Sequence, residues 1–468
     1  MDHPSKPGRP AAATIALVSF FGSSWVIAQP CPRWDPGAMG DPGLDNAVRA
    51  LGAFDDGNGS ALYAGGGFRS AGNNPISFLA KWDGQDWSDV GGGANSTVNG
   101  LGVFDDGAGT ALYVTGNFTS VGRLSASRIA RWDGGAWSSL GSGLDRSGRA
   151  FLEFDDGSGR ALYVAGFFFI AGGVPGTGGI ARWDGQQWTS VGGGMDGTVN
   201  TMVVFDDGAG GGPALYAGGT FTRAGGVPGI LRVARWDGQQ WFPLAEGMDG
   251  GGNPRVNALA VYDSGSGPAL YAAGNFTLAG NAAVSNMARW DGSSWSDVAG
   301  GTDDTITALQ VFDDGGGDEL FVGGTFLTAG VVEVGQIAKW NGSTWAGVGE
   351  FGLAGGVITS ASALTVLDDG GGPALYVAGG FDSAGGINAN NITRWVPCPS
   401  FPPGDMNCDG RLDGGDIDPF FLALGDPAAY TAQFPTCNIL NGDMNRDGRL
   451  DGGDIDPFFA CLGGGPCP

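Results

Sequence analysis

A single histidine, His3, occurs in the 468 residues, and only 23 lysines and arginines stand against 48 acidic residues. Beyond residue 3 there is thus no imidazole for a Ser or Cys triad and no His ligand for zinc or copper. The formal net charge of −25 excludes nucleic acid and anionic membrane as partners, since both demand a basic surface. After residue 28 no stretch reaches about eighteen unbroken apolar residues, so the mature chain has no membrane-spanning helix. Phosphate-loop motifs are absent, and no Gly-x-Gly-x-x-Gly opens a βα unit. What the chain has in excess is Gly, at 93 residues, together with 42% hydrophobic residues and 15 Trp. Disordered chains combine many Gly with few aromatics, so this composition predicts a folded protein rich in turns.

Residues 1–28 read as an export signal. Lys6 and Arg9 form a basic start, an apolar run follows from Ala11 to Ala28, and Val26 and Ala28 suit the −3 and −1 positions of a cleavage site. The mature protein is accordingly expected to be secreted, extracellular or at the cell surface, or periplasmic. Six Cys in an exported chain point to disulfides.

Two markers recur about every fifty residues. The first is an aromatic or Leu before an acidic turn, at Phe54, Phe104, Phe154, Phe205, Tyr262, Phe312 and Leu367. Most are followed by Asp-Asp-Gly-x-Gly, as in Phe54-Asp55-Asp56-Gly57-Asn58-Gly59. The second is a basic residue followed by Trp, at Trp82, Trp132, Trp183, Trp236, Trp290, Trp340 and Trp395. Five residues beyond the first six of these stands another Trp: Trp87, Trp137, Trp188, Trp241, Trp295 and Trp345. Each copy reads as four short strands. In the second copy they are Val98 to Phe104, Ala111 to Phe118, Ile129 to Trp132 and Trp137 to Leu140, with Asp133-Gly134 supplying the positive φ of a hairpin turn. A four-stranded sheet this small cannot bury both faces alone, and stacking such sheets radially solves the problem.

The pattern Ala-Leu-Tyr-Val-x-Gly-x-Phe, a Gly-rich loop, then Ala-Arg-Trp-Asp-Gly-x-x-Trp resembles kelch-type propeller repeats; the Asp-Asp-Gly turn departs from that family's pattern. The expected fold is all-β, a seven-bladed β-propeller of four-stranded blades over residues 29–400. Such a resemblance implies a fold and not an activity. The seventh copy stops at Trp395-Val396-Pro397-Cys398, without a second Trp or a fourth strand, while Cys31-Pro32-Arg33-Trp34 precedes the first copy. Trp34 is therefore expected to complete the last blade, and a Cys31–Cys398 disulfide to replace its missing turn.

Residues 401–468 differ in character. Asp405, Asn407, Asp409, Arg411, Asp413 and Asp416 occupy positions 1, 3, 5, 7, 9 and 12 of a twelve-residue loop. Asp443, Asn445, Asp447, Arg449, Asp451 and Asp454 repeat that loop. Ca²⁺ takes six to eight oxygens, and this spacing supplies five side chains, the carbonyl at position 7 and a Gly at position 6 for the bend. Two Ca²⁺ sites are expected. Each loop runs into Ile-Asp-Pro-Phe-Phe, where Asp418 and Asp456 are expected to cap short helices. A loop followed by one helix, duplicated, resembles the type I dockerin module, an EF-hand-like fold. The resemblance implies calcium-dependent folding and a cohesin-like partner within polysaccharide-degrading assemblies. Positions 10 and 11, which carry recognition side chains in dockerins, are here Gly414-Gly415 and Gly452-Gly453. The four Cys of this segment allow three pairings; Cys461–Cys467 closes a short loop and leaves Cys408–Cys437.

Most Asp residues recur in every repeat, as turns require and a catalytic site does not, so no catalytic residue is assigned. The basic residues before each first Trp recur too and read as ladder or stacking groups. Acids that break the repeat, Glu153, Glu246, Glu319, Glu333 and Glu350, are the better candidates for a carboxylate pair, but nothing in the sequence brings them together. The leading reading is a monomeric, non-catalytic binding or scaffold protein with a Gly-rich, acidic face. The alternatives are a carbohydrate-active enzyme or accessory subunit (a glycoside hydrolase or polysaccharide lyase, with polysaccharide as ligand) and a calcium-dependent adhesin.

Overall fold

The computed structural model describes residues 32–35, 39, 43–72, 74–208, 210–349, 352–356, 360–369, 372–397, 404–408, 411–434, 437, 439–444 and 450–464. The fold is all-β and propeller-like up to residue 397, and the three α-helices with described bounds lie in the C-terminal segment. Seven four-stranded antiparallel sheets are present among the described residues. In the second, Val98–Asp105, Thr110–Gly116, Ile129–Trp132 and Trp137–Ser139 pair in that order. These strands match the expected ones to within two residues at each end. The Gly-containing loop between the second and third strands holds a further short hairpin, Ser120–Val121 with Leu124–Ser125, which alternation in the sequence does not reveal.

The sheets stack in a ring. The first strand of each packs on the first strand of the next, and Ala361–Asp368 of the last packs on Val48–Asp55 of the first. Apolar side chains fill the space between neighbours. Phe54, Tyr63 and Leu79 of one sheet pack with Val98, Leu112, Val114 and Trp132 of the next. At the seam the same kind of cluster joins Val48, Leu62 and Trp82 to Leu367, Tyr376 and Ile392. Inner strands approach so closely that side chains must be omitted: a Cβ at Gly102 would lie 2.5 Å from the Cβ of Phe151.

Arg33–Trp34 is the fourth strand of the last sheet, with Trp34 opposite Trp395 and Arg33 opposite Val396. In the other sheets the second Trp sends its indole N–H to a backbone carbonyl next door, as Trp188 does to Leu140 at 3.0 Å. Trp34 does the same to Val348 at 3.1 Å. Its ring lies so close to residues 349 and 385 that only Gly fits there. Cys31 and Cys398, the disulfide expected beside this strand, lie outside the described residues, as does the segment read as a signal.

The acidic turns are built alike. The first Asp folds the turn: Asp55 Oδ1 accepts from the N–H groups of Gly57 and Gly59 at 2.8 and 3.0 Å. The second Asp reaches inward. Asp56 accepts from the Tyr63 hydroxyl at 3.0 Å and pairs with Lys81 at 2.5 Å. Asp106 holds Tyr113 and Arg131 in the same way, and Asp369 holds Tyr376 and Arg394. The basic residue before Trp is therefore the counter-ion of the turn in most sheets. The expectation of a ladder or stacking group holds for Arg235 and Lys339, which lie over the rings of Phe242 and Phe321, but it is incomplete, because the turn's second carboxylate folds back over the strand that carries the cation.

The clamp gives two expectations. In the fifth sheet Ser264 replaces the second Asp and Arg289 makes no ion pair among the described residues. Ser264→Asp should restore the clamp and stabilise the protein by about 1 kcal/mol, read as a rise in denaturant midpoint; a fall contradicts this role. The second concerns acid. Burial works to raise the pKa of Asp56, but hydrogen bonds from Lys81, Asn58 and Tyr63 outweigh it and hold the carboxyl below its ordinary value. Burial of Asp156 is likewise outweighed by Ser158 and Tyr163. A carboxyl with a lower pKa folded than unfolded stabilises the fold above the unfolded value of about 3.9 and loses that contribution as the pH drops further. The melting temperature should be level from about pH 5 to 8 and fall below about pH 4.

Candidate functional site

Two places in the molecule concentrate polar side chains: the C-terminal loops and the axis of the ring.

In the C-terminal segment, helices Ile417–Gly425, Pro427–Gln433 and Ile455–Leu462 surround a small core. Phe420 stacks on Phe458 with ring centroids 4.1 Å apart, so the two loop–helix units pack through equivalent residues. Met406, Tyr430 and Met444 complete the core. The middle helix was not expected; Asp426, which caps it by accepting from Ala429 N–H, and Pro427 at its first position were the signal for it. Asp418 and Asp456 are not the caps. The chain enters the helix through a 3-10 turn capped by Asp413, which accepts from Gly415 N–H at 2.7 Å, and by Asp451, which accepts from Gly453 N–H at 2.8 Å. The α-helix then begins at residue 417 or 455, placing Asp418 and Asp456 inside its first turn. Cys408 and Cys437 form a disulfide. Cys461 is also disulfide-bonded, and Cys467 lies outside the described residues.

The expected Ca²⁺ ligands are partly described. Asp405, Asp416 and Asp454 are wholly buried. Asp416 accepts from the N–H groups of Met406, Asn407 and Asp413 at 2.8, 3.0 and 2.9 Å. Asp454 accepts from Met444 and Asp451 at 2.8 and 2.9 Å. Position 12 thus pins each loop back on its start, and a carboxylate with about four lone-pair sites keeps capacity for a cation. Asn407 and Asp443 are half-buried, while Arg411, Asp413 and Asp451 are exposed. Asp409, Asn445, Asp447 and Arg449 lie outside the described residues. Among the described residues no three His, Cys, Asp or Glu side chains converge as a metal cluster.

At the ring axis each first strand carries one residue out of register, between Val48 and Ala50 in the first sheet and at the matching place in all seven. The out-of-register residues are Arg49, Asn99 and Arg149, then Asn200 and Asn257, then Thr307 and Ser362. All seven line one cavity of about 580 Å³. Several tie their sheet to the next. Arg49 donates to Asn99 Oδ1 at 3.0 Å and Asn99 to Ser147 Oγ at 2.8 Å. Asn200 and Asn257 donate to the carbonyls of Val256 and Ile306, each at 2.8 Å. Arg149 and Arg255, which also line the cavity, have no such partner among the described residues. Arg149 is exposed to the channel yet surrounded by protein, and this burial, together with Arg49 and Arg255, pushes its pKa below the ordinary value. No carboxylate is among the lining residues.

The sequence reading missed these arginines. Their signal was a break in the repeat: Arg49 and Arg149 stand where other copies have Asn, Thr or Ser, and Arg255 where they have Ala, Thr or Ser. The acids singled out for breaking the repeat do not converge. Glu153 pairs with Arg160 on its own hairpin and Glu319 with Lys339; Glu350 lies outside the described residues.

No protein-family model matches this chain, and no curated protein matches it. Among the solved structures to which the chain is similar are two with long coverage of it. One is the extracellular domain of a hybrid two-component system from B. thetaiotaomicron, with 11% identity, TM-score 0.47, and coverage of 78% of this chain and 41% of that one. The other is an ancestral GH74 enzyme, with 14% identity, TM-score 0.46, and coverage of 81% and 49%. The chain spans less than half the length of either.

Proposed function

We propose that this chain is an exported, non-catalytic binding protein. A seven-bladed propeller holds a ligand at the mouth of its axial channel, and a dockerin-like C-terminal module folds around two calcium ions. The observation that carries the reading is the division of labour among charges. The repeated acids are engaged in turns and clamps, and the cavity on the ring axis is lined by amides, hydroxyls, arginines and Phe167, with no carboxylate. Glycoside hydrolysis in its usual form needs two carboxyl groups flanking the bond, and this cavity supplies none. Export accords with the disulfide between Cys408 and Cys437, and no described helix is long and apolar enough to cross a membrane.

The calcium part rests on buried charge. Asp405, Asp416 and Asp454 have no solvent exposure; backbone N–H groups already hold Asp416 and Asp454, and a bound cation would add to the compensation of this buried charge. Side chains of Asp405, Asn407, Asp409, Asp413 and Asp416 with the Arg411 carbonyl would hold one ion. Asp443, Asn445, Asp447, Asp451 and Asp454 with the Arg449 carbonyl would hold the other. A cohesin-like partner for this module is a further part of the proposal, with both loop–helix units as its docking face.

A panel of polysaccharides assayed for both binding and release of reducing ends tests the reading. Binding without release is expected. Turnover that a single carboxylate substitution abolishes would replace it with the reading as a carbohydrate-active enzyme.

A further inference from the structure

We propose that the mouth of the axial channel is a site for an anionic sugar, a saccharide bearing carboxylate or sulfate groups. The proposal rests on the reading of this mouth as the binding face and names the chemistry of its ligand.

Charge is the first argument. In a chain of net charge −25, three arginines, Arg49, Arg149 and Arg255, face one cavity in which no acid opposes them. Like charges held together in a protein-walled space destabilise the empty site, and an entering anion relieves that repulsion. Most cations beside the acidic turns are paired; Arg149 and Arg255 have no partner among the described residues. Their guanidinium planes offer the forked N–H pairs that match carboxylate and sulfate oxygens. Neither position is dictated by the ring, since other sheets close with Asn, Thr or Ser in place of Arg149 and with Ala, Thr or Ser in place of Arg255.

The remaining lining distinguishes a sugar from a simple ion. Asn200 and Asn257 use an amide N–H to bind the next sheet, which leaves each amide oxygen as an acceptor for hydroxyl donors. Thr307 and Ser362 add small hydroxyl groups to the same wall. At the rim stands Phe167, exposed, with its ring 5.8 Å from that of Phe169. Other sheets have Gly, Asn or Thr at its position. An exposed aromatic beside hydrogen-bonding groups presents an apolar face to the C–H side of a sugar ring. Arg146 lies over both rings, with its guanidinium 5.1 and 4.5 Å from their centroids, and adds a fourth cation at the rim.

The test is calorimetric titration of the full chain with an oligogalacturonate, a sulfated oligosaccharide, a neutral galactan oligomer and inorganic sulfate. One or both anionic sugars should bind at least tenfold more tightly than the neutral one, and more weakly as salt rises. The two anionic arms identify which group the site takes. Arg149→Gln with Arg255→Gln should lower that affinity at least tenfold, and Phe167→Ala should lower it severalfold. Arg149→Gln should leave the melting temperature unchanged or raise it, because it removes a repelled charge. Equal binding of neutral and anionic sugars, binding untouched by the arginine changes, or inorganic sulfate matching the sugars would each overturn the proposal. In the first two cases the reading as a binding protein survives; if no sugar binds, both fail.

Discussion

Removing calcium with a chelator is expected to unfold the segment beyond residue 401 while the propeller keeps its own melting transition. The segment is about the size at which a single core is marginal, and its core consists of a few side chains around the Phe420–Phe458 stack. An ion that binds only the folded state stabilises it by about 4 kcal/mol per site when calcium is a thousandfold above its dissociation constant. Two such ions exceed what the small core can replace. The buried Asp405, Asp416 and Asp454 would then keep only part of the compensation that their charge receives in the loaded state. Far-ultraviolet circular dichroism should lose the helical contribution of 417–425, 427–433 and 455–462, while the signal of the seven sheets stays. The variant Asp405→Ala with Asp443→Ala should do the same in the presence of calcium. Unchanged metal binding by that double variant would refute the assignment.

The second large effect is at the seam. Trp34→Ala should cost about 3–5 kcal/mol, as expected for truncating a buried aromatic, and leaves the Val348 carbonyl without its indole donor. Truncating Trp188 removes a similar contact, but that residue is held in a short hairpin with Trp183. Trp34 pairs with a strand more than three hundred residues away, through only two residue pairs. Its loss should therefore free the N-terminal strand as well as lower stability. Limited proteolysis should cut near residue 34 in Trp34→Ala and spare the same region in Trp188→Ala. Equal resistance of the two variants would mean that the ring is closed by something other than this strand.

What could be read in the sequence follows from what repetition encodes. A turn that needs Asp-Asp-Gly must have it in almost every copy, so the sheets, their turns and the Trp pairs were visible in the spacing. The role of Trp34 followed from a missing partner for Trp395. The counter-ions of the clamps were not visible, because Asp56 and Lys81 are brought together by a strand pairing that spacing alone does not specify. The helix Pro427–Gln433 was overlooked although Asp426-Pro427 announces it. The channel arginines were hidden for a different reason. They differ from their equivalents in the other copies, and only the register irregularity at residues 49, 149 and their equivalents shows that these positions meet on one axis. The expectation of an acidic face fails at that mouth, since the acids lie at the turns and cations line the axis.

Electron-microscopic views of the isolated protein down its axis test the ring architecture most directly. Seven lobes around a closed pore are predicted, with the seventh continuous with the first. An arc with a gap between the first and last lobes, or a ring of six or eight, would contradict it.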